Sequence, residues 1–287
     1  IQPRRGVPKA PFHMALVHED PLLRMAAPLT KVSLSDWRFR LYSGLSRYAF
    51  TAGHDYWGWR FAGWALHYAQ DMGQPWHASL FPGRPAWSIL GLFVAGSQDD
   101  RDRALVLLSN RHLLLEDYLY GAMEDWRGQD SASVLYEALQ GKGAPKTVYR
   151  AGFLYDLVSW RAYKAGRGIN AALVSTFPAL YTSDPSYDYG VENTPARRSY
   201  DPWKALHSAQ PELALGFDKL TAPLFAAVGA ESRAYMAWAD LHSGVEPLRR
   251  RPFDLRGLGY LAGLALLVLG IVLLVLRKTR QPRAGKR

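Results

Sequence analysis

The residues of this chain whose types and spacing could bind metal ions begin in the stretch from His67 to His77. His67 and Asp71 are four residues apart, so on a helix their side chains share one face. Gly73 and Pro75 favour the end of that helix, which would let His77 turn back toward it. Two imidazoles and a carboxylate would then meet at one place, where they could hold a metal that activates water.

A second stretch repeats the spacing, because His112 and Glu116 are four residues apart on a helix expected from Asp100 to about Arg127. A single pair of this kind is usually an ordinary pair on a helix surface. Two pairs together with His77 favour a metal site instead. The chain has no Cys, so disulfides are excluded and any zinc must use imidazole and carboxylate ligands, the set usual for catalytic zinc.

The stretches from His67 to His77 and from His112 to Glu116 resemble the motifs of the zinc-dependent phospholipase C / S1-P1 nuclease superfamily. Members of that superfamily are mainly helical, bind three zinc ions and hydrolyse phosphate esters of phospholipids or nucleic acids. The resemblance implies that His67 and Asp71 bind the first zinc, with Asp71 bridging to another and acting as the catalytic residue. It also implies that His77, His112 and Glu116 bind the second zinc.

The same superfamily uses an upstream His, an upstream Asp and an N-terminal Trp, which complete the cluster. This chain begins without that Trp, and its candidates for the upstream His are His13 and His18. We favour His18, because the neighbouring Glu19 and Asp20 add carboxylates, and Asp36 is a candidate for the bridging Asp. The resemblance therefore implies two or three zinc ions as cofactors.

The chain has 287 residues and a formal net charge of +10, much of which lies near its C-terminus. The basic residues of 248–256 and of 277–287 flank an apolar run, so the charge indicates a membrane anchor more than a nucleic-acid surface. The 20 residues from Gly257 to Leu276 carry no charged side chain and would span about 30 Å as a helix. We predict a transmembrane helix at 257–276, between a basic juxtamembrane linker (248–256) and a basic tail (277–287). A buried core helix and a cleaved sorting segment are the alternatives.

The orientation of this anchor is predicted from the basic residues on its two sides. Six basic residues follow Leu276 and four precede Gly257, which favours a cytoplasmic tail. We therefore expect a single-pass membrane protein whose catalytic domain is extracytoplasmic, in the periplasm or on the outer face.

Helical spacing prevails in the rest of the chain, and strand patterning is poor. We predict the all-α class, as a multi-helix bundle with a zinc cluster in its core. Residues 1–35 are expected to form an irregular N-terminal arm, residues 36–247 the helical zinc-hydrolase-like domain, and residues 78–100 a long connection near the site. Helices are expected from about Asp36 and at 55–71, 100–127, 131–140, 147–182, 202–215 and 217–241.

Several other residues have two interpretations. His54 is either a ligand or substrate contact or a structural residue, whereas His207 and His242 are expected to be isolated and exposed to solvent. The aromatic run at 56–68 is expected to be mainly core, although some members could line a choline or acyl pocket. The apolar residues from Leu80 to Val94 either fold onto the helices or form a surface that enters the bilayer.

The function that these expectations favour is a membrane-anchored, zinc-dependent phosphodiesterase of the phospholipase C type, with a phospholipid as substrate. Asp117 or Asp125 would accept hydrogen bonds from the ligand histidines. An S1/P1-type nuclease acting on single-stranded nucleic acid is the alternative, which needs aromatic stacking platforms and a basic groove. A catalytically weakened membrane scaffold that keeps a structural metal and binds a partner is a third interpretation.

Overall fold

The computed structural model describes residues 13–31, 33–126, 133–142, 148–150, 152–193 and 200–240. Within these residues every regular element is helical and none is a strand, which confirms the predicted all-α class. The helices are α1 (Pro21–Ala26), α2 (Leu34–Thr51), α3 (Asp55–Met72), α4 (Pro75–Ala78), α5 (Ala86–Val94), α6 (Gln98–Trp126), α7 (Val134–Leu139), α8 (Trp160–Thr176), α9 (Ala179–Thr182), α10 (Tyr189–Glu192), α11 (Pro202–Ala209) and α12 (Pro211–Asp240), with a 3₁₀-helix at Pro28–Lys31 and a π-helix at Phe153–Ser159.

Helices α2 and α3 form a hairpin that positions the first pair of predicted ligands. The Ser33 hydroxyl caps α2 by accepting a hydrogen bond from the backbone N–H of Asp36 at 3.2 Å. Gly53, in the link between the helices, has φ +76°, a conformation that favours glycine. A Cβ atom at Gly58 would lie 2.5 Å from the ring of Phe50, so the absence of a side chain allows the two helices to approach closely.

The break between α3 and α4 lies where the sequence predicts it. Gly73 follows the last residue of α3, and Pro75 is the first residue of α4, where its missing N–H costs no hydrogen bond. The side chain of Gln74 caps the short helix by accepting from the backbone N–H of Trp76. This turn places His77 on a separate element from His67 while keeping it six residues after Asp71.

Two apolar clusters hold the elements of the site. Trp76 of α4 and Leu114 of α6 are fully buried in one cluster, while Ala69 and Met72 of α3 are buried in the other. Full burial of a large apolar side chain contributes roughly 1.5–3 kcal/mol, so each element is anchored separately. The predicted ligands of α3 thus extend from one cluster, and those of α4 and α6 extend from the other.

The N-terminal segment differs from the irregular arm expected for residues 1–35. Its described part, from residue 13, packs Ala15, Val17 and Leu23 into the protein interior. Asp20 caps α1 by accepting from the backbone N–H of Leu22 at 2.9 Å. Ala15 and Val17 lie between His13 and His18. Burial of such apolar side chains is favourable, which explains why this segment packs into the interior.

Three expected spans also differ from the observed elements. In place of one helix at 147–182, the described residues form the π-helix at Phe153–Ser159, α8 and α9. The connection at 78–100 contains helix α5. The division expected between residues 215 and 217 lies at Gln210, because Pro211 begins α12, which then continues to Asp240.

The predicted transmembrane helix at 257–276, its linker and its tail lie outside the described residues. Among the residues that are described, one helix, Pro211–Ala239, is long and apolar enough to cross a membrane, with a mean hydropathy of 1.3. Its most apolar window is 56% buried inside the protein, and the core helix of a soluble protein passes the same test.

Candidate metal centre

The first set of ligand-type side chains, here called the Asp71 group, consists of His13, His67 and Asp71. Asp71 Oδ2 lies 2.6 Å from Nδ1 of His13 and 3.4 Å from Nε2 of His67. His67 and Asp71 share one face of α3, as their spacing predicts. The Asp71 side chain is 15% exposed, whereas that of His67 is 57% exposed. The group therefore opens to solvent on the side of His67.

The second set, here called the Glu116 group, consists of His77, His112 and Glu116. His112 Nε2 lies 2.8 Å from His77 Nε2 and 2.8 Å from Glu116 Oε1. His77 Nε2 is 3.6 Å from the same carboxylate oxygen. The His77 side chain is 8% exposed and that of Glu116 is 42% exposed. This group therefore opens to solvent on the side of its carboxylate.

His13 joins the two groups. Its ring belongs to the Asp71 group, and its backbone carbonyl oxygen accepts a hydrogen bond from Nδ1 of His77 at 2.7 Å. The ring centroids of His13 and His77 are 6.4 Å apart. The backbone N–H of Ala15 also donates to the carbonyl oxygen of His77 at 2.8 Å. The two groups are therefore neighbours, and one short segment fixes both.

Glu19 extends this attachment beyond His77. Its Oε1 accepts hydrogen bonds from the Ser79 hydroxyl at 2.8 Å and from the backbone N–H of Leu80 at 2.6 Å. Glu19 is buried, and burial raises the pKa of its carboxyl group despite these bonds. Residues 13–19 thus hold residues 77–80 at several points, which fixes the position of His77 in the Glu116 group.

The tautomer of His77 follows from its carbonyl partner. A carbonyl oxygen only accepts, so Nδ1 of His77 carries a proton, and in the neutral ring Nε2 directs its lone pair toward His112 and Glu116. Burial lowers the pKa of His77, but the bond to Glu116 and the charge of Asp71 outweigh it, so the pKa is raised. Partial burial raises the pKa of Glu116, yet its bonds to the two histidines prevail and lower it.

The distances in both groups are compatible with a bound metal ion. Zinc ligands at about 2.0–2.1 Å in a tetrahedral arrangement lie roughly 3.3–3.4 Å from one another. The separations between ligand atoms are 2.8–3.6 Å in the Glu116 group and 2.6 and 3.4 Å in the Asp71 group. In each group all three ligand atoms lie within 4.8 Å of one another. Two groups of His, Asp and Glu are therefore close enough to bind a metal.

Of the two upstream candidates, the structure brings His13, and not the favoured His18, to Asp71. The ring nitrogen Nε2 of His18 lies 3.0 Å from the carbonyl oxygen of Tyr155. Its ring centroid is 5.2 Å from that of Trp160. His18 is thus directed to the π-helix and the start of α8, which corrects the preference drawn from its acidic neighbours.

Those acidic neighbours and Asp36 have other partners. Glu19 binds the segment after His77, as described above, and Asp20 caps α1. Asp36 Oδ1 accepts from Nε of Arg40 at 3.1 Å, one turn along α2. A helix cap, an ion pair and backbone bonding account for these three carboxylates, and none belongs to either described group.

Of the other histidines, His54 lies outside the two ligand groups, and His207 differs from its expected role. His54 is exposed at the start of α3 and belongs to neither group. His207 is not isolated, since its Nε2 lies 3.2 Å from the Tyr118 hydroxyl and 3.4 Å from Asp218 Oδ2. A buried carboxylate and phenol on neighbouring helices hold His207 in place, which the sequence spacing does not reveal. His242 lies outside the described residues.

The carboxylates expected to orient the ligand histidines have other contacts. Asp117 accepts from the hydroxyl of Tyr189 at 2.9 Å and from Nδ2 of Asn193 at 3.2 Å. Asp125 is exposed. The acceptor observed for a ligand histidine is the carbonyl oxygen of His13, and backbone atoms leave no trace in a pattern of residue types.

The aromatic run at 56–68 is more exposed than expected. Tyr56, Trp57, Trp59 and Trp64 are all exposed, and Tyr68 is buried. Arg60 lies over the rings of two of them, 5.9 Å from the centroid of Tyr56 and 5.4 Å from that of Trp64. Most of the run is thus a surface of α3, not core.

Four rings of this run and one ring of α2 form a continuous series that ends at the Asp71 group. Successive centroids lie 5.7, 5.4, 5.3 and 5.9 Å apart, and the last ring stacks on His13 at 5.4 Å. The members of this aromatic series are Trp57, Phe61, Trp64, Tyr42 and Tyr68. Sequence reasoning missed it, although the α3 members fall at helical spacing on the face of Asp71.

The apolar residues from Leu80 to Val94 are partly packed and partly exposed, and entry of the exposed ones into a bilayer stays a prediction. Leu80 and Leu90 pack against a buried cluster formed by Leu23, Phe81 and Ile89. The other side of this segment exposes three large apolar side chains. They are Trp87, Phe93 and Val94 of α5.

No family model matches the chain, and no curated protein or solved structure matches it significantly. The kinship to the zinc-dependent phospholipase C / S1-P1 nuclease superfamily therefore remains a prediction from the two motifs. What the structure adds is the position of these motifs, which meet as two neighbouring groups joined through His13.

Proposed function

We propose that this chain is a membrane-anchored, zinc-dependent phosphodiesterase that hydrolyses phospholipids in the manner of a phospholipase C. The observation that carries the proposal is the adjacency of the Asp71 group and the Glu116 group. His13 contributes its ring to one and its carbonyl oxygen to the other. Neighbouring sets of three nitrogen and oxygen ligands, each with an open side, suit metal-assisted hydrolysis better than a structural site.

Zinc held in these groups would lower the pKa of bound water and polarise a phosphoryl oxygen. The role of the protein residues is to supply the ligands and to fix their orientation. The carbonyl oxygen of His13 keeps Nε2 of His77 directed at the centre of its group. We assign the catalytic role to Asp71, because its largely buried carboxylate contacts two histidines of its own group and its charge raises the pKa of His77.

The reaction proposed is hydrolysis of the phosphodiester on its glycerol side. The oxygen of water forms a bond to phosphorus, and the bond between phosphorus and the glycerol oxygen breaks. One proton from the water passes to that glycerol oxygen. The products are diacylglycerol and a phosphorylated alcohol.

Exposed apolar residues of α5 support a lipid substrate. Trp87, Phe93 and Val94 are exposed side chains of α5. This helix follows Ser79 and Leu80, the residues that Glu19 binds after His77. Large apolar side chains of this kind lower their free energy by entering the boundary between head groups and acyl chains. The apolar run at 257–276 would keep such a surface beside the bilayer.

A nuclease acting on single strands is the second candidate, and the aromatic series favours it. Exposed rings such as Trp57 and Trp64, with Arg60 over one of them, are suited to stack on bases and to contact a backbone phosphate. The series ends at His13, so a strand lying along it would reach the Asp71 group. Substrate preference therefore has to separate the two candidates.

The test compares the purified full-length chain with Asp71→Asn and with the matched control Asp36→Asn, which changes a carboxylate of the neighbouring helix α2. We expect two or three zinc ions per chain by metal analysis, and hydrolysis of phosphatidylcholine in vesicles. Asp71→Asn should lose at least about 100-fold in rate, because loss of a ligand costs at least as much as loss of a residue that orients one. Asp36→Asn should keep the activity, since Asp36 contacts Arg40 outside the site.

Other outcomes would contradict the proposal in distinct ways. Cleavage of single-stranded DNA with no lipid hydrolysis would establish the nuclease. Absence of both zinc and hydrolysis would leave a membrane scaffold that only resembles an enzyme. Equal loss in the two variants would show that the effect does not come from the Asp71 group.

A further inference from the structure

A cavity of about 180 Å³ lies between α4, α6 and α8, apart from both ligand groups. Its polar lining residues are Arg84, Arg111 and Asn170, and apolar side chains including Trp76 and Leu108 form its walls. None of the six residues of the Asp71 and Glu116 groups lines it. Arg111 is half-buried beside these apolar walls, so its charge calls for a compensating partner.

Arg111 is held in the cavity by neutral acceptors. Its Nε donates to the carbonyl oxygen of Thr182 at 2.8 Å, and its Nη1 donates to Oδ1 of Asn170 at 3.2 Å. A guanidinium has five N–H donors, so three remain for another acceptor. No carboxylate pairs with Arg111 in the described parts of the chain. Its orientation is thus fixed without neutralising its charge.

Arg84 adds a second positive charge to the same cavity. Its guanidinium lies 5.4 Å from the ring centroid of Phe81, and among the described residues it too forms no ion pair. Arg84 and Arg111 line the same cavity, and like charges that share a cavity repel each other. A bound anion would remove this repulsion and use the free N–H donors.

We propose that Arg84 and Arg111 form a binding site for a phosphate group, either inorganic phosphate or the phosphate of an organic monoester. Two uncompensated cations match the charge of a phosphate, about −1.5 to −2 at neutral pH, better than that of a single carboxylate. The planar fork of arginine suits phosphate oxygens. Asn170 adds a third donor, because its Oδ1 faces a guanidinium that only donates and its Nδ2 remains free to point elsewhere.

This site does not depend on the proposed hydrolysis, although it lies beside the candidate metal centre. Trp76 precedes His77 in α4, and Arg111 precedes His112 in α6. Consecutive residues of a helix point about 100° apart, so the two sites share elements but not side chains. A phosphate could therefore occupy the cavity while the metal centre is empty, filled or inactivated by mutation.

The test is calorimetric titration of the EDTA-treated full-length chain with inorganic phosphate and, separately, with phosphocholine. Saturable binding to the wild type is expected, weakened about 10- to 100-fold in Arg84→Gln and in Arg111→Gln, since each removes a charge-assisted hydrogen bond. Arg103→Gln is the matched control, because Arg103 is an exposed arginine of α6 that lies 3.9 Å from Asp99. The tighter of the two probes identifies the source of the phosphate.

Three results would overturn the proposal: no saturable binding of either probe, unchanged binding in Arg84→Gln, or equal weakening in Arg103→Gln. Arg84 is exposed and its side chain forms no hydrogen bond among the described residues, so Arg84→Gln tests binding even if Arg111→Gln is unstable. Asp71→Asn should bind phosphate as the wild type does. Loss of hydrolysis in that variant with retained phosphate binding would separate this site from the proposed enzymatic function.

Discussion

The Asp71 group and the Glu116 group contain the same types of ligand but differ in which ligand side chain is exposed to solvent. Each combines a His and a carboxylate four residues apart on a helix with a third His from another segment, His13 or His77. In the Asp71 group the carboxylate is largely buried and the helical His is exposed. In the Glu116 group the carboxylate is the most exposed of the three side chains.

The difference in exposure indicates that some ligand residues also stabilise the fold, whereas others contact only the ligand group. His77 is buried, bonded through its ring to one backbone carbonyl and through its own carbonyl to a backbone N–H. His67 contacts Asp71 from an exposed position on α3. We therefore expect the Glu116 group to be coupled to folding and the Asp71 group to be more open to exchange with solvent.

The largest expected effect on stability is that of His77→Ala. In metal-free protein this change should lower the free energy of unfolding by about 2–3 kcal/mol, because it leaves a cavity and removes the donor to the carbonyl of His13. His67→Ala should change it by less than about 0.5 kcal/mol, as is usual for exposed positions. Urea denaturation of both variants in EDTA measures the difference. Equal destabilisation by the two would remove the distinction between the groups.

A smaller effect is expected on the loss of zinc to a chelator. The Asp71 group should release its metal first, since His67 is the most exposed of the six side chains, at 57%. We expect about a tenfold difference in affinity between the two groups, or about 1.4 kcal/mol. Titration with a chromophoric chelator should give two phases in the wild type, and the weaker phase should be missing in His67→Ala. Loss of the tighter phase in that variant would reverse the assignment.

The smallest effect concerns the pH dependence of stability in the Glu116 group without metal. The pKa of Glu116 is lowered from 4.5, so its stabilisation is present above about pH 4.5 and is lost as the pH falls below that value. The pKa of His77 is raised from 6.5, so its stabilisation is present below about pH 6.5 and is lost as the pH rises through the raised value.

Both contributions are therefore present between about pH 4.5 and 6.5. Because the Glu116 side chain is partly exposed, screening limits the gain to about 1 kcal/mol. The difference in unfolding free energy between the wild type and Glu116→Gln, measured in EDTA, should be largest near pH 5.5 and smaller at pH 3.5 and pH 8. A difference that does not change with pH would show that Glu116 and His77 do not interact as charges.

The sequence predicted the parts of the site that depend on local spacing. The pairing of His67 with Asp71 follows from helical periodicity, and the break at Gly73 and Pro75 follows from their backbone properties. The start of α12 at Pro211 was available from the same rules but was missed, because the apolar pattern continues across it. Local signals therefore account for the two ligand pairs and for the break between α3 and α4, but the predicted bounds of several other helices were wrong.

The sequence did not predict contacts between distant segments. Nothing in residue types distinguishes His13 from His18, since the choice depends on which ring the packing of Ala15 and Val17 directs to Asp71. The preference for His18 depended on its acidic neighbours. It was wrong because Glu19 accepts a hydrogen bond from the backbone of another segment. The exposure of the aromatic series is likewise a property of how α2 and α3 pack, which hydrophobicity alone does not reveal.

The ring and the carbonyl oxygen of His13 attach the N-terminal segment to two distant parts of the chain through hydrogen bonds. The contacts of His13 close segments of 58 residues to Asp71 and 64 residues to His77, and His77 meets His112 across 35 more. A cation bound by such residues would stabilise the folded chain by its binding free energy, because the unfolded chain, with 58 and 35 residues between the ligands, does not hold them together. In a chain that has no Cys, the bound metal would thus link distant segments of the folded protein, as disulfides do in other proteins.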